Sequence, residues 1–282
     1  MHFIDTTDAL RQQLDDWRHH DEHIALVPTM GSLHDGHMSL VSSAREHAER
    51  VVVSVFVNPT QFAAGEDFDA YPRALEKDKL RLQRGGADLM FAPGVNTMYP
   101  FGVDTATTVS VPVMTDSFCG ASRPGHFDGV ASAVIRLFSL VQPDVALFGQ
   151  KDFQQLLIIR RLVEDLNLPV EIVGGETIRE DDGLALSSRN QYLGTEERAI
   201  APALYAALQA LAQDLQAGKR NFAELEQHAT QSLEDSGFVP EYVGIRRTEN
   251  LELPDRDNDE LVILAAARLG KARLIDNVVV HI

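Results

Sequence analysis

The residues best placed by type and spacing to do chemistry are His34 and His37, in Val27-Pro28-Thr29-Met30-Gly31-Ser32-Leu33-His34-Asp35-Gly36-His37. The apolar run Ile24-Ala25-Leu26-Val27 before them has the composition of a strand buried on both faces, and Pro28 is expected to stop its pairing. Leu40, Val41, Ala44 and Ala48 then recur at helical spacing, which puts Gly36 and His37 near a helix N-terminus. Free N–H groups and the helix dipole favour phosphate there, and Gly31 and Gly36 let the backbone approach a ligand closely. Two imidazoles one turn apart can face one bound group. The outline is that of a nucleotide-phosphate site. Zinc is the competing ligand, but it needs a third protein donor, and the lone cysteine with no HExxH motif supplies no obvious one.

Three other tracts carry suitable groups. Asn58 and Gln61 in Asn58-Pro59-Thr60-Gln61-Phe62 are uncharged amides, able to bond hydroxyl and carboxylate without titrating. Gly149-Gln150-Lys151-Asp152 offers backbone N–H groups and an ammonium for phosphate, with Asp152 as helix cap or ribose acceptor, and one of Gln154 and Gln155 is expected to face a pocket. Ser187-Ser188-Arg189 combines two hydroxyls with a guanidinium, a clamp for polyphosphate. Taken singly these are turn residues, a helix cap and a serine pair; the conjunction carries the information.

Positioning such groups needs a scaffold, and hydrophobic patterning supplies one. A first helix capped by Thr7 or Asp8 runs through Trp17. Strands are expected at 24–27, 51–57, about 88–91, 144–148 and 170–173, alternating with helices that end near Gly85-Gly86, Val141 and Leu166. The sequence from Pro93 to Gly125 reads as an irregular excursion with an edge strand at Thr107–Val111, and Gly174-Gly175 as the start of a connection. The alternation indicates parallel βαβ units, with the functional loops at the carboxyl ends of the strands. Helices over Glu196–Ala217 and Phe222–Ser236, then strands at 242–246, 261–265 and 272–275, predict a smaller α+β domain. Asp255–Glu260 reads as a solvated acidic turn. The chain of 282 residues is thus expected to form two domains, 1–175 and 176–282.

A formal charge of −17 and a pI near 4.9 argue against a nucleic-acid surface, so an anionic ligand must meet a local basic pocket. Cys119 is the single cysteine, which excludes an intrachain disulfide and fits a reducing compartment. With no basic, apolar leader pattern in Met1–Asp5 and no run of about 18 apolar residues, the expectation is a cytoplasmic protein without a membrane partner.

Taken together, these tracts resemble the pantoate-β-alanine ligase (pantothenate synthetase) family over essentially the whole chain. The resemblance rests on Pro28–Gly31, His34–His37, Phe56-Val57-Asn58-Pro59 with Gln61-Phe62, Tyr71-Pro72-Arg73, Arg123–Phe127, Phe148-Gly149 with Lys151-Asp152, Gln154-Gln155, and Asp182–Asn190. Asp35 and Gln150 stand where many members carry glutamate. The resemblance implies a Rossmann-like parallel-sheet nucleotidyltransferase domain, a smaller α+β C-terminal domain that closes over ATP, and a homodimer. It also implies ATP-dependent joining of pantoate and β-alanine through a pantoyl adenylate, with Mg²⁺. By matching position it assigns ATP to Met30, Gly31, Ser32, Leu33, His34, Asp35, Gly36, His37, Gly149, Gln150, Lys151, Asp152, Ile178, Leu186, Ser187, Ser188 and Arg189. His37, as donor, with His34 and Lys151 would be catalytic. Gln61 and Gln155 would hold pantoate, Gln61 would also lie near β-alanine, and Asn58 and Arg123 are further pocket candidates. Asp78, Asp88 and Asp152 are candidate neighbours of the metal.

Two other classes share part of this pattern. A tRNA-charging or nucleotidyl-transferring enzyme would use the histidine loop, but the acidic balance and the lack of a basic appended domain weigh against tRNA. A nucleotide-binding regulator would need only the phosphate loop, not Gln61, Gln155 and Lys151 at strand ends.

Overall fold

The computed structural model describes residues 1–63, 65–112, 114–255 and 258–282. Parts of the stretches read above, at Ala64, Val113 and Arg256-Asp257, lie outside the described residues. Packing divides the chain into two compact units, Met1–Gln150 with Ile158–Glu176, and Lys151–Leu157 with Thr177–Ile282.

The first unit runs β1 (His2–Ile4), α1 (Thr7–Arg18), β2 (Ile24–Thr29), α2 (Asp35–His47), β3 (Arg50–Val55), α3 (Leu75–Gly85), β4 (Leu89–Phe91), α4 (Val95–Met98), α5 (Cys119–Ser122), α6 (His126–Val141), β5 (Val145–Gly149) and β6 (Glu171–Gly175). Its sheet is parallel throughout, in the order β1-β4-β3-β2-β5-β6. Successive strands step outward from β2 through β3 to β4, whereas β5 and β6 lie on the other side of β2. The order therefore reverses between β2 and β5, the place where such sheets open a crevice at their carboxyl edge. The histidine loop leaves β2 there. Val51, Val53 and Val55 share one sheet face with Ala25 and Val27 and bury it against Leu40, Val41 and Ala44 of α2.

The second unit places α8 (Thr195–Ile200), α9 (Ala203–Gln216) and α10 (Phe222–Asp235) before an antiparallel sheet of β7 (Val239–Arg247), β8 (Glu260–Leu269) and β9 (Ala272–His281). Leu204, Leu208, Leu211 and Leu215 form the apolar stripe of α9, joined in one core by Leu225 and Leu233 of α10 and Leu261, Ile263 and Leu274 of the sheet. A further helix, α7 (Phe153–Asp165), begins in the second unit and ends in the first.

Several elements differ from the sequence reading. Strand β2 continues through Pro28, which lies opposite Ser54. The Thr29 carbonyl accepts from the Phe56 N–H, so residue 29 faces β3 and Pro28 faces the β5 side, where pairing ends at Leu26. The missing N–H therefore breaks no ladder bond. Gly174 and Gly175 belong to β6 and pair with Phe148 and Gly149. A Cβ at Gly175 would collide with Leu40 of α2, which explains glycine inside a strand. Thr107–Val111 forms no strand, because its backbone bonds to a helix instead: Ser132 Oγ accepts the Val109 N–H at 2.8 Å and Arg136 donates to the Thr107 carbonyl. Pro202 divides the expected 196–217 helix into α8 and α9. Thr6 takes the N-cap position of the first helix, one residue earlier than expected, and its side chain makes no capping bond.

Candidate active site

In the first unit the loop after β2 is held from below. Gly31 has φ +82°, and a Cβ there would come within 3.0 Å of Val55 Cγ1 and 3.1 Å of Asp78 Oδ2. The Asp78 carboxylate, buried, accepts the N–H groups of Ser32 and Leu33 at 2.8 Å each. Burial pushes the Asp78 carboxyl above its usual range, against the lowering effect of those two bonds. Arg81 donates to the Leu33 carbonyl and pairs with Asp35. Asp78 is therefore a brace of the loop, and the Ser32 and Leu33 N–H groups are already occupied. Asp88 is likewise internal, accepting from Val51 N–H at 2.9 Å and facing Arg50. Among the described residues no group of three or more His, Cys, Asp or Glu side chains is arranged to hold a metal ion.

The loop delivers His34 as N-cap of α2 and His37 as its third residue, with ring centroids 4.0 Å apart. The His34 N–H donates to His37 Nδ1 at 3.3 Å. A nitrogen that accepts is unprotonated, so neutral His37 carries its proton on Nε2 and is a donor through that atom. Asp35 and Gly36 precede His37, whose N–H is the first to bond back, to His34 O at 2.9 Å.

Asn58 and Gln61 lie at the start and end of a 3-10 turn after β3. Asn58 is buried and fully committed. Its Nδ2 donates to Gly129 O and Gln61 Oε1 at 3.1 Å each, and its Oδ1 accepts from Tyr99 OH at 2.7 Å and Thr60 Oγ1 at 3.0 Å. Because a carbonyl only accepts, the bond to Gly129 fixes which end of the Asn58 amide is nitrogen. That in turn makes the facing atom of Gln61 its oxygen. Gln61 Nε2 is then the outward donor, and its partner within the unit is the weak acceptor Met30 Sδ at 3.0 Å. The Gln61 carbonyl accepts from His126 Nδ1 at 2.7 Å and Arg123 Nη2 at 3.2 Å. Arg123 is held by a two-pronged pair with Glu66, both contacts 2.6 Å. Burial would raise the Glu66 carboxyl, but the Arg123 hydrogen bonds and charge outweigh it and the net shift is downward. Asn58 and Arg123, expected as pocket residues, thus position Gln61, with Tyr99, Glu66, His126 and Gly129, to which the sequence reading gave no role.

In the second unit Lys151 lies in a 3-10 turn, Gln150–Asp152, at the approach to α7. Gln154 is buried and Gln155 half-buried, which leaves Gln155 as the amide with an open side. Ile178 to Leu186 folds back on itself, joined by Leu186 N–H to Ile178 O at 2.9 Å and a bridge between Arg179 and Ala185. Gly183, φ +93°, makes its turn against Tyr205. This hairpin leads directly into Ser187, whose hydroxyl accepts the Arg189 N–H at 3.2 Å, and a 3-10 turn over Ser188–Tyr192. Lys151 and Ser187, far apart in the chain, line one small cavity of this unit with Asn190, Tyr205 and Asp276. Of the expected ligands, the first unit carries residues 30–37, Asn58, Gln61, Arg123, Gly149 and Gln150, and the second carries Lys151, Asp152, Gln155, Ile178 and Leu186–Arg189.

The family described as pantoate-beta-alanine ligase matches residues 2–279 of this chain. A pantothenate synthetase of Thioalkalivibrio sulfidiphilus is 55% identical over 282 residues, covering 100% of this chain and 99% of that protein. The crystal structure of pantothenate synthetase from Thermus thermophilus superposes with a TM-score of 0.92 at 48% identity, over 99% of both chains. A pantoate-β-alanine ligase from Francisella tularensis, complexed with beta-gamma ATP and β-alanine, gives a TM-score of 0.81 at 32% identity, over 99% of this chain and 97% of that one. The α/β architecture, the histidine loop and the pinned amide are thus those of a chain that belongs to the pantoate-β-alanine ligase family.

Proposed function

We propose that this protein joins (R)-pantoate to β-alanine at the cost of ATP, giving pantothenate, AMP and pyrophosphate. A carboxylate is a poor electrophile until its oxygen becomes part of a good leaving group, and adenylation supplies one. The pantoate carboxylate oxygen attacks the α-phosphorus of ATP as the bond to the pyrophosphate oxygen breaks. The amine of β-alanine then attacks the carbonyl carbon of the pantoyl adenylate, AMP departs, and the nitrogen gives up a proton.

Phosphoryl transfer of this kind asks the protein for positioning and for charge neutralisation. His37 fits the donor role through Nε2–H, as its Nδ1 is occupied by the His34 N–H. His34, Lys151, Ser187, Ser188 and Arg189 are the further phosphate ligands in this reading, and residues 30–37, 149–152, Ile178 and Leu186 the remaining ATP contacts. Gln61 and Gln155 hold pantoate, with Gln61 near β-alanine. Magnesium suits the reading as an ion brought in on the triphosphate, since Mg²⁺ keeps several waters and is commonly bound through substrate phosphates, and no protein cage is present among the described residues. The family likeness also supports a division into an ATP- and pantoate-binding part, 1–175, and a smaller lid, 176–282, in a cytoplasmic homodimer. No helix among the described residues is long and apolar enough to cross a membrane.

The observation that carries the proposal is the amide of Gln61, fixed as a donor by an internal network in a chain of this family. The test is exchange of labelled pyrophosphate into ATP, run with and without pantoate. Exchange that needs pantoate, followed by release of AMP only when β-alanine is added, is the expected result. Exchange without pantoate, or none with it, would sink the proposal.

A further inference from the structure

Strand β9 is mostly apolar, with Arg273 and His281 towards its ends and Asp276-Asn277 near its middle, and the latter two are buried, 4% and 7% exposed. Polar groups inside a sheet are costly unless bonded, and a buried ion pair rarely stabilises more than well-packed apolar residues would. What the two side chains bond is therefore informative. Asn277 Nδ2 donates to the backbone carbonyl of Lys151 at 2.9 Å. Asp276 takes both prongs of Arg179, at 2.6 and 2.9 Å, and the Arg179 guanidinium lies over Tyr205, 3.5 Å from the ring centre. The same guanidinium donates to Gly183 O at 3.1 Å, so it ties the strand to both ends of the 178–186 hairpin turn. Adjacent residues of one strand thus hold the two segments that carry Lys151 and Ser187, and those two side chains share a cavity with Asp276.

We propose that Asp276 and Asn277 are positioning residues for the adenylation step: Asn277 sets the backbone from which the Lys151 ammonium reaches phosphate, and Asp276, through Arg179, sets the hairpin that delivers Ser187–Arg189. This rests on the function proposed above. Neither side chain is assigned a contact with substrate. Their effect passes through backbone placement, where a shift of about 1 Å is enough to cost roughly a hundredfold in rate.

The test compares the two half-reactions by rapid quench. Asn277→Asp keeps the side chain's shape and replaces the donor by an oxygen facing the Lys151 carbonyl. Adenylation is expected to slow about tenfold or more, while attack of β-alanine on supplied pantoyl adenylate stays within about twofold of wild type. The same change made in a Lys151→Ala background should add almost nothing, because the group it positions is gone. Asp276→Asn is read likewise against Ser187→Ala, and if that variant does not fold, Arg179→Lys, which keeps the charge but loses the fork, takes its place. Equal slowing of both half-reactions, the same fold-loss with and without Lys151, or full adenylation in Asn277→Asp would each overturn the inference. If the wild-type protein exchanges pyrophosphate only with pantoate, such a result leaves the proposed function standing. Absence of exchange in the wild type would remove both.

Discussion

The orientation of the Gln61 amide makes the most discriminating prediction, because three side chains at one position must rank in a particular order. Its oxygen is engaged by Asn58 Nδ2 at 3.1 Å, and among the described residues of its unit its nitrogen has only the Met30 sulfur, at 3.0 Å, as partner. A substrate carboxylate or hydroxyl is a far better acceptor than a thioether. Losing a hydrogen bond to a charged group costs about 1.5–3 kcal/mol, and every 1.4 kcal/mol is about tenfold in affinity. Gln61→Ala should therefore raise the KM for pantoate by roughly 10- to 100-fold, with the KM for ATP little changed. Gln61→Glu keeps the oxygen that Asn58 needs but replaces the donor with anionic oxygen. Two like charges about 4 Å apart at an effective dielectric of about 20 repel by about 4 kcal/mol, so glutamate should be worse than alanine despite its closer shape. Steady-state kinetics with varied pantoate, alongside thermal unfolding to confirm folding, measures the ranking. A Gln61→Glu enzyme with pantoate KM at or below that of Gln61→Ala would refute both the orientation and the role.

His37→Gln retains an N–H donor near the position of Nε2, and it should adenylate pantoate faster than His37→Ala or His37→Asn, each of which should lose about a hundredfold to a thousandfold; single-turnover quench gives the order. Gly129→Ala would place a methyl against the Thr60 carbonyl and 2.7 Å from Gln61 N, backbone atoms that cannot swing aside. Overpacking of that kind costs about 1–3 kcal/mol, to be read as a lowered unfolding midpoint together with a raised KM for pantoate. The Glu66 carboxyl is lowered in the folded protein, so its stabilising effect is present above the unfolded value, about 4.3, and is lost as pH falls through the folded one. The stability gap between wild type and Glu66→Gln should accordingly be full at neutral pH and close in acid. A gap that widens on acidification would contradict the assigned sign.

The parallel sheet was legible because each central strand is a short apolar run buried on both faces, and the helices between carry stripes of 3.6-residue period. Less legible were elements whose reason lies elsewhere in the chain. His2–Ile4 is too short to show a period and becomes a strand only by pairing with Leu89–Phe91. Gly174-Gly175 looks like a connection until Leu40 of α2 is placed against it. Thr107–Val111 alternates as a strand does, yet α6 takes its hydrogen bonds. The site divides in the same way. Side chains suited to phosphate and carboxylate announce themselves by type, and so His34, His37, Gln61, Lys151 and Ser187–Arg189 could be named from sequence as candidates. The residues that aim them were either named there for other duties, as Asn58, Arg123 and Asp78 were, or not named at all. Asp78 reaches back 46 positions to Ser32, and Asp276 reaches back 97 to Arg179. An aspartate in a charged helix, or inside a strand, carries no local mark of that duty.

The acidic balance of the chain poses a problem for any anionic ligand, and the local geometry resolves it. A protein of net charge −17 is proposed to bind a triphosphate and a carboxylate, and carboxylates of its own stand close to the groups assigned to them. Four of these have partners. Asp78 faces two backbone N–H groups, Asp35 meets Arg81, Glu66 is gripped by Arg123, and Asp276 by Arg179. Beyond about 8–10 Å, salt at physiological strength screens the rest of the surface charge. In the proposed reading, what an arriving anion meets is then set within that distance, in the first unit by the histidines and the Gln61 amide and in the second by the Lys151 ammonium. Acidic residues can be abundant on such a protein without opposing an anionic substrate, provided those beside the site are already paired.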